Sequence, residues 1–393
     1  MKTKYIFLLS FFIFCSQIWA TNIDSLWKVI RNQNTNDTSK INAYYELGWE
    51  YIYTNPDSSL LLGKKAIELT KDKKLKRFQS KILNLMGASL QIKGDYLQAV
   101  EYYQKNLALG EELGDENTML IAYGNIGSLY INLNRFKMAL QYQLKSLELA
   151  LKINKREKLG SIYNNLSLIY SDFEEHQKAI EYGLKSIEIN TEFDDKNALC
   201  SAHGNLGTAY LNMKNLDKAL ENYKICYLLS IETENLYEKS KAALDIGEVY
   251  FKLKKYDEAI KYYEEAMQVA KKIEVLDNLK GAYHGLYIVY KAKKDTKNTL
   301  EYLQLYIDIL SKVNKEDREK EVSQKIIEFN FNARTLRDSV KNAEETKYKD
   351  IIINSGKAQI EKDRILKTAL TLGLLFFIAF GMIIFNQFII FNK

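Results

Sequence analysis

The chain has 393 residues, of which 56 are basic and 50 acidic, so its formal net charge is +6. A chain of this length ordinarily folds as two or three compact domains, but internal repeats override that expectation. The single proline, Pro56, indicates a helical protein. The lysine-dominated charge excess is dispersed along the chain, which indicates solvated faces and argues against a basic track for nucleic acid.

The N-terminus has the pattern of a secretory signal peptide. Two early lysines precede an apolar stretch that ends near Cys15, and small-residue positions follow as far as Ala20. We predict that residues 1–20 are a signal peptide cleaved before Thr21, with an uncleaved N-terminal membrane anchor as the alternative. Residues 21–41 are then a lead-in to the repeats.

A motif of the form Leu-Gly-x-x-Tyr recurs through the middle of the chain. Its second position is occupied by Gly48, Gly87, Gly127, Ser167, Gly207, Gly247 and Tyr287. From Gly87 onward the copies are evenly spaced, and the first interval is shorter by a single position. A period this constant identifies a sequence repeat.

A second recurring position lies twelve residues behind the first. It is occupied by Ala99, Ala139, Ala179, Ala219, Ala259 and Thr299, each followed by an aromatic residue three or four positions later. The small residues let two helices approach closely, and we expect the tyrosines to fill the space between neighbouring hairpins. Each unit is therefore predicted to be a helix hairpin, with polar turns such as those at Gly94-Asp95, Asn134 and Asn215.

These two registers resemble the tetratricopeptide repeat (TPR) family, whose pattern has Leu-Gly-x-x-Tyr in the first helix and Ala-x-x-x-aromatic in the second. The resemblance covers residues 42–314 and implies an all-α solenoid of about seven hairpins. The usual period is about 34 residues, and the longer period of this chain predicts longer second helices. The first unit departs from the pattern after Pro56 and the last carries Tyr287 and Thr299, as expected of units that cap a stack.

A solenoid of this kind exposes a concave surface built from one stripe of each first helix. Helical spacings of four, three and four place the predicted peptide-binding residues on that stripe. They are the ladder Asn125, Asn165, Asn205 and Asp245, together with Ser128, Asn132, Leu168, Asp172, Thr208 and Asn212.

A carboxamide offers a donor and an acceptor together, which is what an extended peptide backbone requires. The family resemblance implies the same role, since asparagines at this position often bind peptide backbone there. The alternative is that the asparagines form hydrogen bonds to the adjacent helix and fix how the units stack.

Residues 315–367 lose the repeat signature and become highly charged. An apolar seam at spacings of four and three runs from Val322 to Ala343, which predicts a coiled-coil-like helical stalk. Lys347 interrupts its phase. We expect the stalk to pair with a second copy of the chain; the alternative is that it folds back on the last hairpin as a cap.

Residues 368–392 carry no charge and are long enough for a transmembrane helix. Together with the signal peptide, they predict a single-pass protein of the cell membrane, with its solenoid outside the cytoplasm and its C-terminus inside. A buried globular helix is the alternative.

No catalytic, metal-binding or cofactor-binding constellation emerges. The three histidines have no partner at metal-ligand spacing, and no phosphate-binding glycine run is present. Signal-peptide cleavage would leave Cys200 and Cys226, which are able to pair in an oxidising compartment but which we predict to be apolar packing residues. We therefore expect a protein that is not an enzyme and uses no cofactor or metal.

The whole arrangement resembles the input half of bacterial envelope-spanning sensors, in which a histidine-kinase module or a helix-turn-helix domain commonly follows the span. The favoured interpretation is an anchored TPR module that binds a peptide or protein and passes a signal to a separate partner. The alternatives are the sensor remnant of a truncated kinase or regulator, and a scaffold for envelope assembly. Asn386 and Gln387 are relevant to the signalling module and to the sensor remnant. They either mark the end of an older span or form hydrogen bonds between two spans.

Overall fold

The computed structural model describes residues 23–70 and 75–391. The predicted signal peptide lies outside this part of the chain. The protein divides into two units, residues 1–325 and 326–393, and the first contains the repeats.

The described part of the chain is helical throughout, which confirms the all-α solenoid. A helix at 23–31 (α1) comes first. It is followed by α2 (Asp37–Tyr51), α3 (Pro56–Leu69), α4 (Lys76–Lys93), α5 (Tyr96–Leu113), α6 (Glu116–Asn132), α7 (Phe136–Lys152), α8 (Arg156–Asp172), α9 (His176–Glu192), α10 (Lys196–Asn212), α11 (Leu216–Glu232), α12 (Leu236–Lys252), α13 (Tyr256–Lys272), α14 (Leu276–Ala292) and α15 (Thr296–Phe391).

The turns between helices recur at a constant interval. The residue after each C-cap adopts a left-handed backbone conformation at Asn134, Asn154, Glu174, Asp194, Lys214, Glu234, Lys254, Glu274 and Lys294, and Gly94 and Gly114 occupy the two earlier turns. The next residue closes the turn, as when Arg135 N–H donates to Tyr130 O at 2.8 Å, which satisfies a carbonyl at the helix end. Helices α6 to α14 each have 17 residues. The expectation of longer second helices is therefore wrong, because each unit consists of two equal halves.

The polar turns predicted from the sequence also start helices. The Asp95 carboxylate accepts from Gln98 N–H at 3.1 Å, and Asn215 Oδ1 accepts from Lys218 N–H at 3.2 Å. Each side chain satisfies a backbone donor that the first helical turn leaves free.

Small and large residues are matched where the two helices of a hairpin meet. A Cβ atom at Gly207 would lie 2.7 Å from the ring of Tyr223, so only glycine fits there. In the hairpin of α8 and α9 both positions are small, because Ser167 takes the place of glycine and Gly183 takes the place of tyrosine. A Cβ atom at Gly183 would lie 3.2 Å from Ser167 Oγ and 3.5 Å from Leu206 of the next first helix, so the packing is close here too.

Only some of the tyrosine contacts made by the second helices are between neighbouring hairpins. Tyr182 stacks on Tyr170 of its own hairpin, with ring centroids 5.4 Å apart. Tyr262 contacts Tyr227 of the preceding hairpin, with ring centroids 6.0 Å apart. They therefore join helices within units as well as between them.

Each first helix contacts the first helix of the next unit, from α2 and α4 to α12 and α14. In the described residues, the second helices of consecutive units share no comparable contact. The first helices are therefore closer together and form the inner side of the solenoid, as expected for the concave surface.

The backbone of the second unit is helical as far as Phe391, within α15. The apolar seam predicted between Val322 and Ala343 lies on residues whose side chains are outside the described part of the structure. Nowhere in the described residues does a helix combine the length and apolar character needed to cross a membrane. This finding contradicts the transmembrane helix at 368–392 and the single-pass membrane localisation predicted from the sequence, and both predictions are wrong.

Candidate functional site

The predicted stripe lies on the inner side of the solenoid, on α6, α8, α10 and α12. The four ladder residues are half-buried, as are Ser128, Leu168 and Thr208 one turn later. Asn132, Asp172 and Asn212, at the ends of their helices, are exposed. The structure thus brings the ladder and its following positions into one row and leaves the helix ends in solvent.

The three ladder asparagines each donate a hydrogen bond to the first helix of the preceding unit. Asn125 Nδ2 donates to Asn84 Oδ1. Asn165 Nδ2 donates to Ser128 Oγ at 3.1 Å, and Asn205 Nδ2 donates to Asn164 Oδ1 on α8 at 2.8 Å. These are the bonds that the stacking interpretation expects. Peptide binding by the same residues remains a prediction.

One N–H of each ladder carboxamide is used in this way. Within the described residues, the Oδ1 atoms of Asn125, Asn165 and Asn205 have no hydrogen-bond partner, and they are not among the buried unsatisfied atoms. The bond to the neighbouring helix therefore fixes the orientation of the amide and leaves an acceptor in reach of solvent.

Other stripe residues are held by their own surroundings. The Thr208 hydroxyl donates to Gly204 O at 3.1 Å and lies 3.0 Å from the Tyr223 hydroxyl. Asn212 Nδ2 donates to Ser171 Oγ at 3.4 Å.

A cleft of ≈ 210 Å³ lies beside the ladder between α6 and α8. Asn125, Ser128 and Asn165 line it, with Gln143 of α7. Gln143 was not predicted as a site residue. It occupies the position at which α5, α11 and α13 have a buried tyrosine, and its Oε1 atom is buried without a hydrogen-bond partner. The break in the tyrosine pattern was the available sequence signal.

A second cleft, of ≈ 340 Å³, lies between α12 and α14 beside the last ladder position. Asp245 and Glu248 line it on α12, with Tyr263 of α13 and His284 of α14. Burial raises the pKa of Asp245 to about 7; Lys241 opposes this shift, and Glu248 and Glu238 add to it. The ladder therefore changes from neutral amides to a carboxyl group that titrates near neutral pH.

Cys200 and Cys226 are buried and pack against Ala242. The structure joins them as a disulfide between α10 and α11, so the alternative that the sequence left open is found in place of the predicted apolar packing residues. Their sulfurs and a Glu238 carboxylate oxygen lie within 4.8 Å of one another. In the disulfide form neither sulfur is a thiolate, so this group is not an effective metal site.

The solenoid is similar to several solved structures. A signal-transduction ATPase of the STAND class from Pyrococcus horikoshii, described as having a tetratricopeptide repeat sensor, is 18% identical with a TM-score of 0.54, over 78% of this chain and 49% of that one. The protein NprR, solved in complex with its cognate peptide NprX, is 16% identical with a TM-score of 0.52, over 73% and 81%. A Rap protein solved with the competence and sporulation factor is 13% identical with a TM-score of 0.52, over 76% and 99%. At these identities the likeness shows the fold alone.

No curated protein matches the chain. A family model described as "Tetratricopeptide repeat" matches residues 78–152, 118–192, 158–227, 197–272 and 238–312. These overlapping matches span more than half of the chain and follow the period of its sequence repeat. The chain therefore belongs to the tetratricopeptide repeat family.

Proposed function

We propose that this protein is a non-enzymatic binding module whose inner surface takes an extended peptide or a segment of a partner protein. The observation that carries the proposal is the ladder of Asn125, Asn165 and Asn205. Each side chain is held by one hydrogen bond to the neighbouring helix and keeps a free acceptor on the inner side.

The spacing of the ladder suits an extended chain. Packed helices lie about 8–10 Å apart, and an extended peptide advances about 3.3 Å per residue. One asparagine in each unit therefore meets roughly every third residue of a peptide. Three or four units span about ten residues of such a ligand.

Backbone recognition by the ladder accounts for affinity without fixing the peptide's sequence. An extended peptide presents backbone N–H groups that donate hydrogen bonds to the Oδ1 atoms, as in other complexes that recognise extended segments. Sequence preference then comes from side-chain clefts beside the ladder, such as the cleft between α6 and α8.

Two of the similar proteins were solved with a bound ligand, namely NprR with its cognate peptide and a Rap protein with the competence and sporulation factor. A third is described as having a repeat sensor. These descriptions support a sensing or adaptor role for the present chain, in which occupation of the inner surface is reported to a signalling partner.

The test distinguishes peptide binding from repeat stacking by removing one hydrogen bond in two ways, once at its donor residue and once at its acceptor residue. Asn205→Ala removes both the bond to Asn164 and the free acceptor, whereas Asn164→Ala removes only the bond. The probe is a fluorescent dodecapeptide selected from a random library against the full chain. Affinity is read by fluorescence anisotropy and stability by thermal unfolding.

We expect both variants to lose similar stability, on the order of 1 kcal/mol for one hydrogen bond. Only Asn205→Ala should weaken binding of the peptide, by roughly fivefold or more. Equal affinities for Asn205→Ala, Asn164→Ala and the wild type would assign the ladder to stacking alone. Failure to select any peptide would contradict the proposed function.

A further inference from the structure

The last position of the ladder differs from the other three in its bonding. Asp245 has no hydrogen bond or ion pair with any residue that the structure describes. The corresponding Asn165 and Asn205 each donate to the preceding first helix, and an ionised carboxylate has no hydrogen to donate. Asp245 is therefore a half-buried acceptor without a partner on the inner surface.

When Asp245 is ionised, Lys241 attracts its charge, but no ion pair is formed with it within the described residues. Glu248 is paired with Lys252 at 3.3 Å, and both line the same cleft. Lys241, one turn before Asp245, does not line the cleft and makes no ion pair with Asp245 within the described residues. A cation that enters the cleft therefore meets a carboxylate that makes no ion pair with a neighbouring side chain.

The walls of the cleft also suit a positively charged side chain. Phe251 is half-buried and supplies aromatic surface, and cations are attracted to aromatic faces. Gly281 and Gly285 of α14 let Leu244 and the Tyr263 ring pack closely against that helix, and these two side chains line the cleft beside Asp245. The cleft volume of ≈ 340 Å³ accommodates the end of a lysine or arginine side chain.

We infer that the cleft of Asp245, Glu248, Phe251 and Tyr263 is a specificity pocket for a lysine or arginine side chain of the bound peptide. This inference rests on the proposed function, since the ladder holds the backbone while the pocket reads one side chain. It also orients the peptide, because the neutral asparagines lie toward one end of the groove and the acidic pocket toward the other.

The direct test compares peptides selected from a random dodecapeptide phage library by the full chain and by its Asp245→Asn variant. The matched control is Asp217→Asn, which removes the same charge from an exposed position on α11. We expect a basic residue to be enriched at one position with the wild type and with Asp217→Asn, and the enrichment to disappear with Asp245→Asn.

Affinity for the strongest wild-type peptide is then compared with that for a copy in which citrulline or acetyl-lysine replaces the enriched residue. The neutral copy should bind the wild type about tenfold more weakly, as for the loss of a charge-assisted hydrogen bond. The two peptides should bind Asp245→Asn within about twofold of each other. A tenfold difference that persists in Asp245→Asn overturns the inference.

The pH dependence gives an independent readout. Affinity for the basic peptide should increase from pH 6 to pH 8 in the wild type and stay level in Asp245→Asn, because only the ionised carboxyl attracts the cation. The other titratable groups around Asp245 are Lys241, Glu238, Glu248 and Lys252 on its own helix, Tyr223 of α11, Tyr263 of α13 and His284 of α14. His284→Ala should keep the rise in affinity, which assigns it to Asp245; loss of the rise in this variant would assign it to the imidazole and contradict the inference.

The outcomes also separate the two proposals. Peptides selected without a basic preference would overturn the pocket and leave binding by the ladder intact. If no peptide is selected, the proposed function fails, and the pocket with it.

Discussion

Replacing Asp245 by asparagine should stabilise the protein, and more so at high pH. Burial raises the pKa of Asp245 from 3.8 to about 7. Because the folded-state pKa exceeds the unfolded one, the folded protein binds the extra proton between about pH 4 and pH 7. Stability therefore falls as pH rises through that window, and asparagine removes this loss.

The size of the effect follows from the same pKa. Each pKa unit corresponds to about 1.4 kcal/mol, which gives an upper bound of about 4 kcal/mol for a fully buried group. Asp245 is half-buried and its cleft is open to solvent, so screening by water reduces the expected gain to about 1–2 kcal/mol. This corresponds to roughly 2–5 °C in melting temperature for a solenoid of this size.

The assay is thermal unfolding of the wild type, Asp245→Asn and Asp217→Asn at pH 5 and pH 8, followed by circular dichroism at constant ionic strength. The gain of Asp245→Asn over the wild type should be larger at pH 8 than at pH 5 by about half of that amount, roughly 0.5–1 kcal/mol, because part of the loss has already occurred at pH 5. The exposed control should show no such difference. An equal gain of Asp245→Asn at both pH values, or the same pH dependence in Asp217→Asn, would refute the reasoning.

Four further substitutions test the packing and the turns by thermal or urea unfolding. Gly207→Ala should cost about 1–3 kcal/mol, because its methyl group would lie 2.7 Å from a buried tyrosine ring; Gly204→Ala, with its nearest atom at 3.8 Å, should be neutral or stabilising by up to about 1 kcal/mol. The reverse order of these two stabilities would contradict the packing. Lys214→Gly should stabilise by about 0.5–1 kcal/mol, since φ is 61° there, and a loss of stability would show that the turn does not require this conformation. Gln143→Tyr should stabilise by about 1 kcal/mol, because it removes a buried unpaired oxygen and places a hydroxyl near Ser128, as in the equivalent pair on α10 and α11; destabilisation would show that the cleft beside α7 does not accept a ring.

The repeat period was the strongest sequence signal, and it predicted the hairpins because small residues are required wherever two helices approach. The turns at Gly94 and Asn215 could also be predicted from the sequence, because few residue types end a helix in the left-handed conformation or cap a helix start. The left-handed conformation of Glu174 and Lys214 could not be predicted from the sequence. Their side chains are ordinary at exposed helix ends, and the packing of the helices on either side imposes the conformation.

The candidate site was only partly predictable. Helical spacing placed the ladder on the inner side, but the direction of each amide depends on a partner in the preceding repeat, such as Ser128 for Asn165. The disulfide of Cys200 and Cys226 depends on how α10 and α11 face each other, which spacing alone does not settle. The pocket at Asp245 depends on how α12 and α14 face each other, which brings Asp245 and His284 to one cleft, and the sequence alone does not settle that arrangement.

The central claim is that a peptide lies along the inner side of the first helices. It is tested most directly by photo-crosslinking a selected dodecapeptide that carries benzoylphenylalanine at its centre to the full chain, with the sites mapped by mass spectrometry. The account predicts crosslinks on α6, α8, α10 and α12 near the ladder, and their loss when unlabelled peptide competes. Crosslinks concentrated on the second helices, α7, α9, α11 and α13, would contradict it.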